Sequence, residues 1–240
     1  TLCKMTIPSP SMLHLICCVR SEEYKPIERY QDMKELYNDI AIAYQKAIRA
    51  FYDAGCRYLQ LDDTSWGEFC DADKRKTYKE RGFNLEEIAK SYVDMINLAL
   101  EAKPADMTIT MHICRGNFRS TWFSSGGYEP VAEILFGHCK VDGFFLEYDS
   151  ERSGDFSPLR YIKDQKVVLG LITSKFPELE DKEEIKERIQ EAEKYVAKEQ
   201  LCLSPQCGFS STEEGNVMTE EEQWKKVVFV KEIAEEVWDD

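Results

Sequence analysis

The feature that most constrains the fold of this chain is a regular alternation of two kinds of run. Short segments rich in β-branched and aromatic residues occur at Cys3 to Ile7, Cys56 to Leu61, Thr108 to Ile113, Gly143 to Leu146, Lys166 to Leu171 and Gln200 to Leu203. Each reads as a strand. Between them lie longer runs with apolar residues at helical spacing. These are Met33 to Asp53, closed by Gly55; Leu85 to Ala102, opened by Asn84; Glu129 to Phe136; Lys182 to Lys198, opened by Asp181; and Gln223 to Trp238, opened by Thr219 with Glu222 three residues later. Asn, Asp and Thr accept hydrogen bonds from the free N–H groups of a first helical turn, and Gly tolerates the left-handed exit. The alternation predicts an α/β fold with a parallel sheet, either open and doubly wound or closed as a barrel.

Chemistry-bearing side chains sit at the ends of these strands. In Thr108 to Cys114 the side chains alternate faces, so His112 and Cys114 point the same way, about 7 Å apart along the chain. One metal ion can bridge both. Glu147 ends the Val141 to Leu146 run, and Cys207 follows the Gln200 to Leu203 run. Two thiolates, an imidazole and a carboxylate suit Zn²⁺, whereas Mg²⁺ or Ca²⁺ would demand oxygen donors. On spacing alone a second reading stands beside this one: a cysteine in an apolar run is commonly a small core residue, and a histidine a hydrogen-bonded one. His138-Cys139, at a helix end before a strand, falls on the opposite rim and reads as structural.

Ligands drawn from several strand ends toward one point favour the closed ring, because the C-terminal ends of a (β/α)8 TIM barrel converge on one mouth. Six βα units are legible where the barrel has eight. The expectation is therefore a single domain over residues 1–240 that lacks about two N-terminal units. A missing N-terminal segment or a second subunit would complete the ring and cover the two strand edges.

Composition narrows the partners. The 240 residues are 43% hydrophobic and 32% charged, and no Gly/Ser/Pro-rich linker divides them. A net charge of -14 argues against nucleic acid or an anionic membrane and leaves small molecules or proteins as partners. Nine cysteines without a signal peptide or regular spacing indicate reduced thiols and a cytoplasmic setting. No apolar stretch is long enough to span a membrane. The acid-rich stretches Glu178 to Glu193 and Thr219 to Glu236 carry interleaved Lys and apolar residues and read as solvated helix faces.

Four ordered segments carry a resemblance: Tyr58-Leu59-Gln60-Leu61-Asp62-Asp63, Met111-His112-Ile113-Cys114-Arg115-Gly116-Asn117, Phe145-Leu146-Glu147-Tyr148-Asp149 and Leu203-Ser204-Pro205-Gln206-Cys207-Gly208-Phe209. The chain resembles the catalytic C-terminal barrel of cobalamin-independent methionine synthase, and more closely the short methionine-synthase-like proteins without that enzyme's N-terminal domain. The resemblance implies methyl transfer to the thiol of homocysteine, from 5-methyltetrahydrofolate or another donor, with Zn²⁺ as cofactor. It makes His112, Cys114, Glu147 and Cys207 the zinc ligands. Asp62 matches the carboxylate that holds the substrate ammonium, and Glu68 falls where the family sets a carboxylate against the folate pterin. For the pair Asp62-Asp63 the plainer reading is a helix-opening cap. Glu147, the hardest donor, is expected to loosen when the substrate sulfur arrives.

Departures from the family pattern concern the donor. The glycine/serine loop that grips the amino acid's carboxylate belongs to a first strand absent here. The family's histidine proton donor has no counterpart in Leu171-Ile172-Thr173-Ser174-Lys175-Phe176, where Lys175 lies nearest. Lysine at its ordinary pKa is a weak acid for protonating a departing nitrogen, so Lys175 is expected to be a surface loop residue and the donor one that needs no protonation, such as a methylated corrinoid or a sulfonium compound. The alternatives are a related zinc-dependent thiol alkyltransferase with another substrate and a non-catalytic zinc-binding module.

Overall fold

The computed structural model describes residues 2–238. Six parallel strands form one sheet in the order β1-β2-β3-β4-β5-β6: Met5–Pro8, Tyr58–Asp63, Thr108–Ile113, Gly143–Glu147, Lys166–Ile172 and Leu201–Pro205. Every neighbour in space is the neighbour in sequence. A doubly wound sheet reverses its order at a switch point; this one never does, and it is an arc of a (β/α)8 barrel. Among the described residues β1 and β6 each have a strand on one side only.

Helices follow the strands. After β1 come α1 (Pro10–His14), a turn of π-helix over Leu15–Arg20, and α2 (Met33–Asp53); after β2 come α3 (Ser65–Cys70), α4 (Ala72–Glu80) and α5 (Leu85–Leu100). Then α6 (Glu129–His138), α7 (Lys182–Ala192) and α8 (Glu220–Trp238) cross back behind β3, β5 and β6. The caps expected from sequence are in place: Asn84 accepts from Glu87 N–H at 3.4 Å, Asp181 from Glu183 N–H at 2.9 Å, and Glu222 reaches back to Thr219 N–H at 2.7 Å. Four helical pieces, α1 with its π turn, α3 and α4, gave no periodic signal. α4 buries only Tyr78 and α3 buries all six of its residues, so neither has an apolar stripe to recognise. α7 stops at Ala192, six residues before its expected end, because tight turns at Lys194 and Tyr195 redirect the chain toward β6.

The period of two along each strand sorts the sheet into two faces. Leu59 and Leu61, Ile109, Met111 and Ile113, Phe144 and Leu146, and Val167 and Leu169 are at most 1% exposed and share one core with α2, α5 and α6. Gln60, Asp62, Thr110, His112, Phe145 and Glu147 face the other way. The acid-rich stretches are solvated faces, as expected: α7 buries Ile185 and Ile189, and α8 buries Phe229 and Ile233. All nine cysteines are free thiols, and no helix among the described residues is long and apolar enough to cross a membrane.

Candidate metal centre

Register brings the site together. Asp62 on β2 pairs with His112 on β3, and His112 with Phe145 on β4, so the strand ends lie level. One donor atom from each of His112, Cys114, Glu147 and Cys207 lies within 4.8 Å of every other. Cys114 Sγ and Cys207 Sγ are 3.8 Å apart. His112 Nε2 is 3.9 Å from a Glu147 oxygen and 3.9 Å from an Asp62 oxygen. The four residues that the sequence placed at three strand ends are therefore one cluster.

The cluster fits a metal ion on local chemistry. His112 is 6% exposed, and its Nδ1 lies 3.3 Å from the Phe145 carbonyl, which fixes the ring and directs Nε2 inward. That Nε2 has no hydrogen-bond partner. A buried nitrogen left without one costs stability unless something binds it, and the neighbouring donors are thiols and a carboxylate. Burial alone would lower the His112 pKa, yet Cys114, Asp62 and Glu147 around it raise it to about 9. The hydrogen bond with Cys207, with burial, pushes the Cys114 thiol well above its ordinary range. Both shifts favour the protonated forms of His112 and Cys114, so a cation binding to these two would displace their protons.

Glycines allow the approach. Gly116 sits at φ +99°, and a side chain there would meet Phe123 Cβ at 2.6 Å; this turn lets Gly116 N–H reach Cys114 Sγ at 3.4 Å. A Cβ on Gly170 would stand 2.7 Å from Gln206 Cα, so only glycine in β5 admits the segment after β6 beside Glu147.

Around the four lies a shell that sequence reading missed. Glu147 is fully buried, and its oxygens accept from Arg115 N–H at 2.8 Å, Arg152 at 2.9 Å and Gln206 Nε2 at 3.2 Å. Arg152 also bonds Asp149 at 2.6 Å. Nothing in the spacing of Arg152 or Gln206 marks them; they become partners only when β4 and β6 lie in register with β5 between them.

The two neighbouring aspartates divide. Asp63 is completely buried and caps α3, accepting from Ser65 N–H at 2.6 Å and from the hydroxyls of Ser65, Ser9 and Ser11. Asp62 stays partly open and faces the cluster. Burial, with Asp63 and Glu147 near, holds its carboxyl above the usual range against the pull of His112. Glu68, on α3, is 1% exposed, and both its oxygens are taken, one by Arg20 and one by the Tyr78 hydroxyl.

Lys175 corrects its expectation. It is not a surface residue: its exposure is 0%, and its ammonium donates to Gly116 O at 3.0 Å and Asn117 Oδ1 at 2.6 Å. Burial lowers its pKa against the opposing effect of Cys207, Glu147 and Cys114. A residue after an apolar strand reads as loop, and only the neighbouring loops fold over it. His138 is exposed and Cys139 buried at the far end of α6, the structural placement expected of them.

Comparison with known proteins fits this picture. The family described as cobalamin-independent synthase, catalytic domain, matches residues 22–228. The uncharacterized protein YxjH of Bacillus subtilis is 54% identical over 237 residues, covering 98% of this chain and 61% of YxjH. The methionine synthase of Pyrococcus furiosus is 24% identical over 181 residues, which is 75% of this chain and 45% of that protein. A solved structure from Listeria monocytogenes superposes with a TM-score of 0.77 at 50% identity, over 99% of this chain and 64% of that one. A B12-independent methionine synthase from Shewanella, solved with selenomethionine, gives 0.69 at 18% identity over 99% of this chain and 62% of its own, a likeness of fold. The chain thus spans 61% of YxjH and 64% of the Listeria chain.

Proposed function

This chain belongs to the cobalamin-independent methionine synthase family, and from that premise we propose that it acts in zinc-dependent transfer of a methyl group to the thiol of homocysteine, forming methionine. The observation that carries the reading is the convergence of four donor atoms within 4.8 Å beside a partly open carboxylate, Asp62, which lies 3.9 Å from His112 Nε2. His112, Cys114, Glu147 and Cys207 would hold the zinc. Bound there, zinc would keep the substrate thiol deprotonated and nucleophilic at neutral pH.

The protein's own residues supply the rest. Asp62 offers a negative charge at the rim, suited to an α-ammonium group and not to the sulfonate of other thiol substrates. Glu147 is held by Arg152, Gln206 and the Arg115 amide, so its carboxylate stays satisfied if its contact with the metal loosens. Glu68 can meet a pterin only by giving up Arg20 or Tyr78. The methyl donor is 5-methyltetrahydrofolate or another carrier, and we place the reaction in the cytoplasm, where nine free thiols persist. The unpaired sides of β1 and β6 are read as the place where further strands, from a longer chain or a second subunit, close the barrel.

Metal analysis tests this. About one zinc per chain is expected, with loss of metal in Cys114→Ser and Cys207→Ser. Full occupancy in both variants would rule the site out. With the barrel complete, homocysteine methylation assayed across candidate donors identifies the carrier.

A further inference from the structure

The loop after β5 carries none of the four candidate ligands, yet hydrogen-bonded chains from it reach the end of every strand that bears one. Ser174 donates through N–H and hydroxyl to Gln206 Oε1, and Gln206 Nε2 donates to Glu147 at 3.2 Å. Lys175 donates to Gly116 O and Asn117 Oδ1, just past Cys114. Asn117 in turn donates through Nδ2 to Gly208 O at 2.6 Å and Ser211 Oγ at 2.8 Å, just past Cys207. Two hydrogen-bonded chains, one ending at Glu147 and one joining the two thiols' loops, start from adjacent residues.

The polarity of the second chain is set at its buried end. An ammonium only donates, so it forces the Asn117 carbonyl oxygen toward itself. The amide nitrogen must then face Gly208 and Ser211. A flipped amide would set N–H against N–H at one end and carbonyl against carbonyl at the other. With Lys175 wholly buried, both acceptors lose their donor if the ammonium goes, and buried acceptors without donors are costly. We propose that Lys175, acting through Asn117, is a positioning residue that holds the Cys114 and Cys207 loops at metal-binding separation, a role distinct from delivering a proton to the reaction.

The inference rests on the metal reading above, and the test separates the two. Zinc affinity is measured by chelator competition on the full protein and on Lys175→Met, Asn117→Ala and the double variant, with far-UV circular dichroism as the check on folding. Partners of this kind typically contribute ten- to hundredfold in metal affinity. Each single variant should lose about that much while remaining folded, and the double variant should lose no more than the worse single, because both cut one chain. In Co²⁺-loaded protein the thiolate charge-transfer band should shift in both singles. If Lys175→Met does not fold, Asn117→Ala decides alone. Parental zinc affinity in the variants, with turnover lost only in Lys175→Met, would overturn the inference and make Lys175 a proton donor. Additive losses would overturn it too. A parent protein that takes up no zinc would sink the metal reading, a result visible before any variant is made.

Discussion

Two neighbouring residues on one strand show how far a side chain's direction decides its use. Asp62 and Asp63 are chemically the same, but the pleat sends one to the site and the other into the helix layer. Asp62→Asn keeps size and removes charge. It should weaken homocysteine binding about ten- to hundredfold, in line with a hydrogen bond to a charged group, while zinc content stays at the parental level. A thiol lacking the amino group should bind both proteins alike; equal losses for the two thiols would assign Asp62 to structure. His14 makes part of the stability sensitive to acid. It is 4% exposed, its Nδ1 meets the Tyr92 hydroxyl at 2.9 Å, and burial lowers its pKa to about 4 from an ordinary 6.5. The unfolded chain therefore takes up this proton first. The His14 contribution is intact above about pH 6.5, falls between 6.5 and 4, and levels off below, with a span of about 3 kcal/mol. In urea unfolding, parent minus His14→Gln should fall by about that much from pH 7 to pH 4; a difference flat across the window would exclude this role.

At the scale of elements, short helices do the positioning and long ones supply the core. α1 and α3 are six residues or fewer, too short to be stable alone. They are joined by Asp63, which binds Ser9 and Ser11 at the start of α1 and Ser65 at the start of α3. Asp63→Ala strands several buried donors at once. It should cost about 3 kcal/mol or more, read as a lower urea midpoint with unchanged slope. A loss as small as that of a surface aspartate would show that the two helices hold by packing alone. The β5 loop acts similarly on the other side of the mouth, where it ties together the loops that follow Cys114 and Cys207.

At the scale of the whole molecule the decisive facts are a sheet that is open among the described residues and a high negative charge. β1 and β6 present unpaired backbone groups on their outer sides among the described residues, and such edges recruit strands. Against this, a net charge of -14 repels a second copy. Screening weakens the charge but not the hydrogen bonding of an edge, so salt decides the balance. The 27.9 kDa chain by itself should sediment increasingly as dimers and larger species as ionic strength rises. A monomer that persists through 0.5 M salt at tens of micromolar would mean that the edges are already shielded.

The sequence by itself determined the alternation, the class of fold and the placing of four candidate metal-binding side chains at strand ends. Strand and helix periods are local, and His112 and Cys114 differ by one pleat; an order of six βα units leaves few parallel arrangements. Caps such as Asn84 and Asp181 were legible for the same reason, because a cap bonds within its own turn. Tertiary structure decided everything that joins distant segments: the register that levels Asp62 with His112, the burial of Lys175, and the partnership of Glu147 with Arg152 and Gln206. α3 and α4 escaped notice because complete burial, or burial of a single residue, leaves no period to read. A lysine in a polar loop looks the same in sequence whether it meets water or a carbonyl. The difference is made by the loops of β3 and β6 closing over it, an interaction between residues about 60 and 30 positions away whose strength depends on distance and solvent exclusion, neither of which is written in local order.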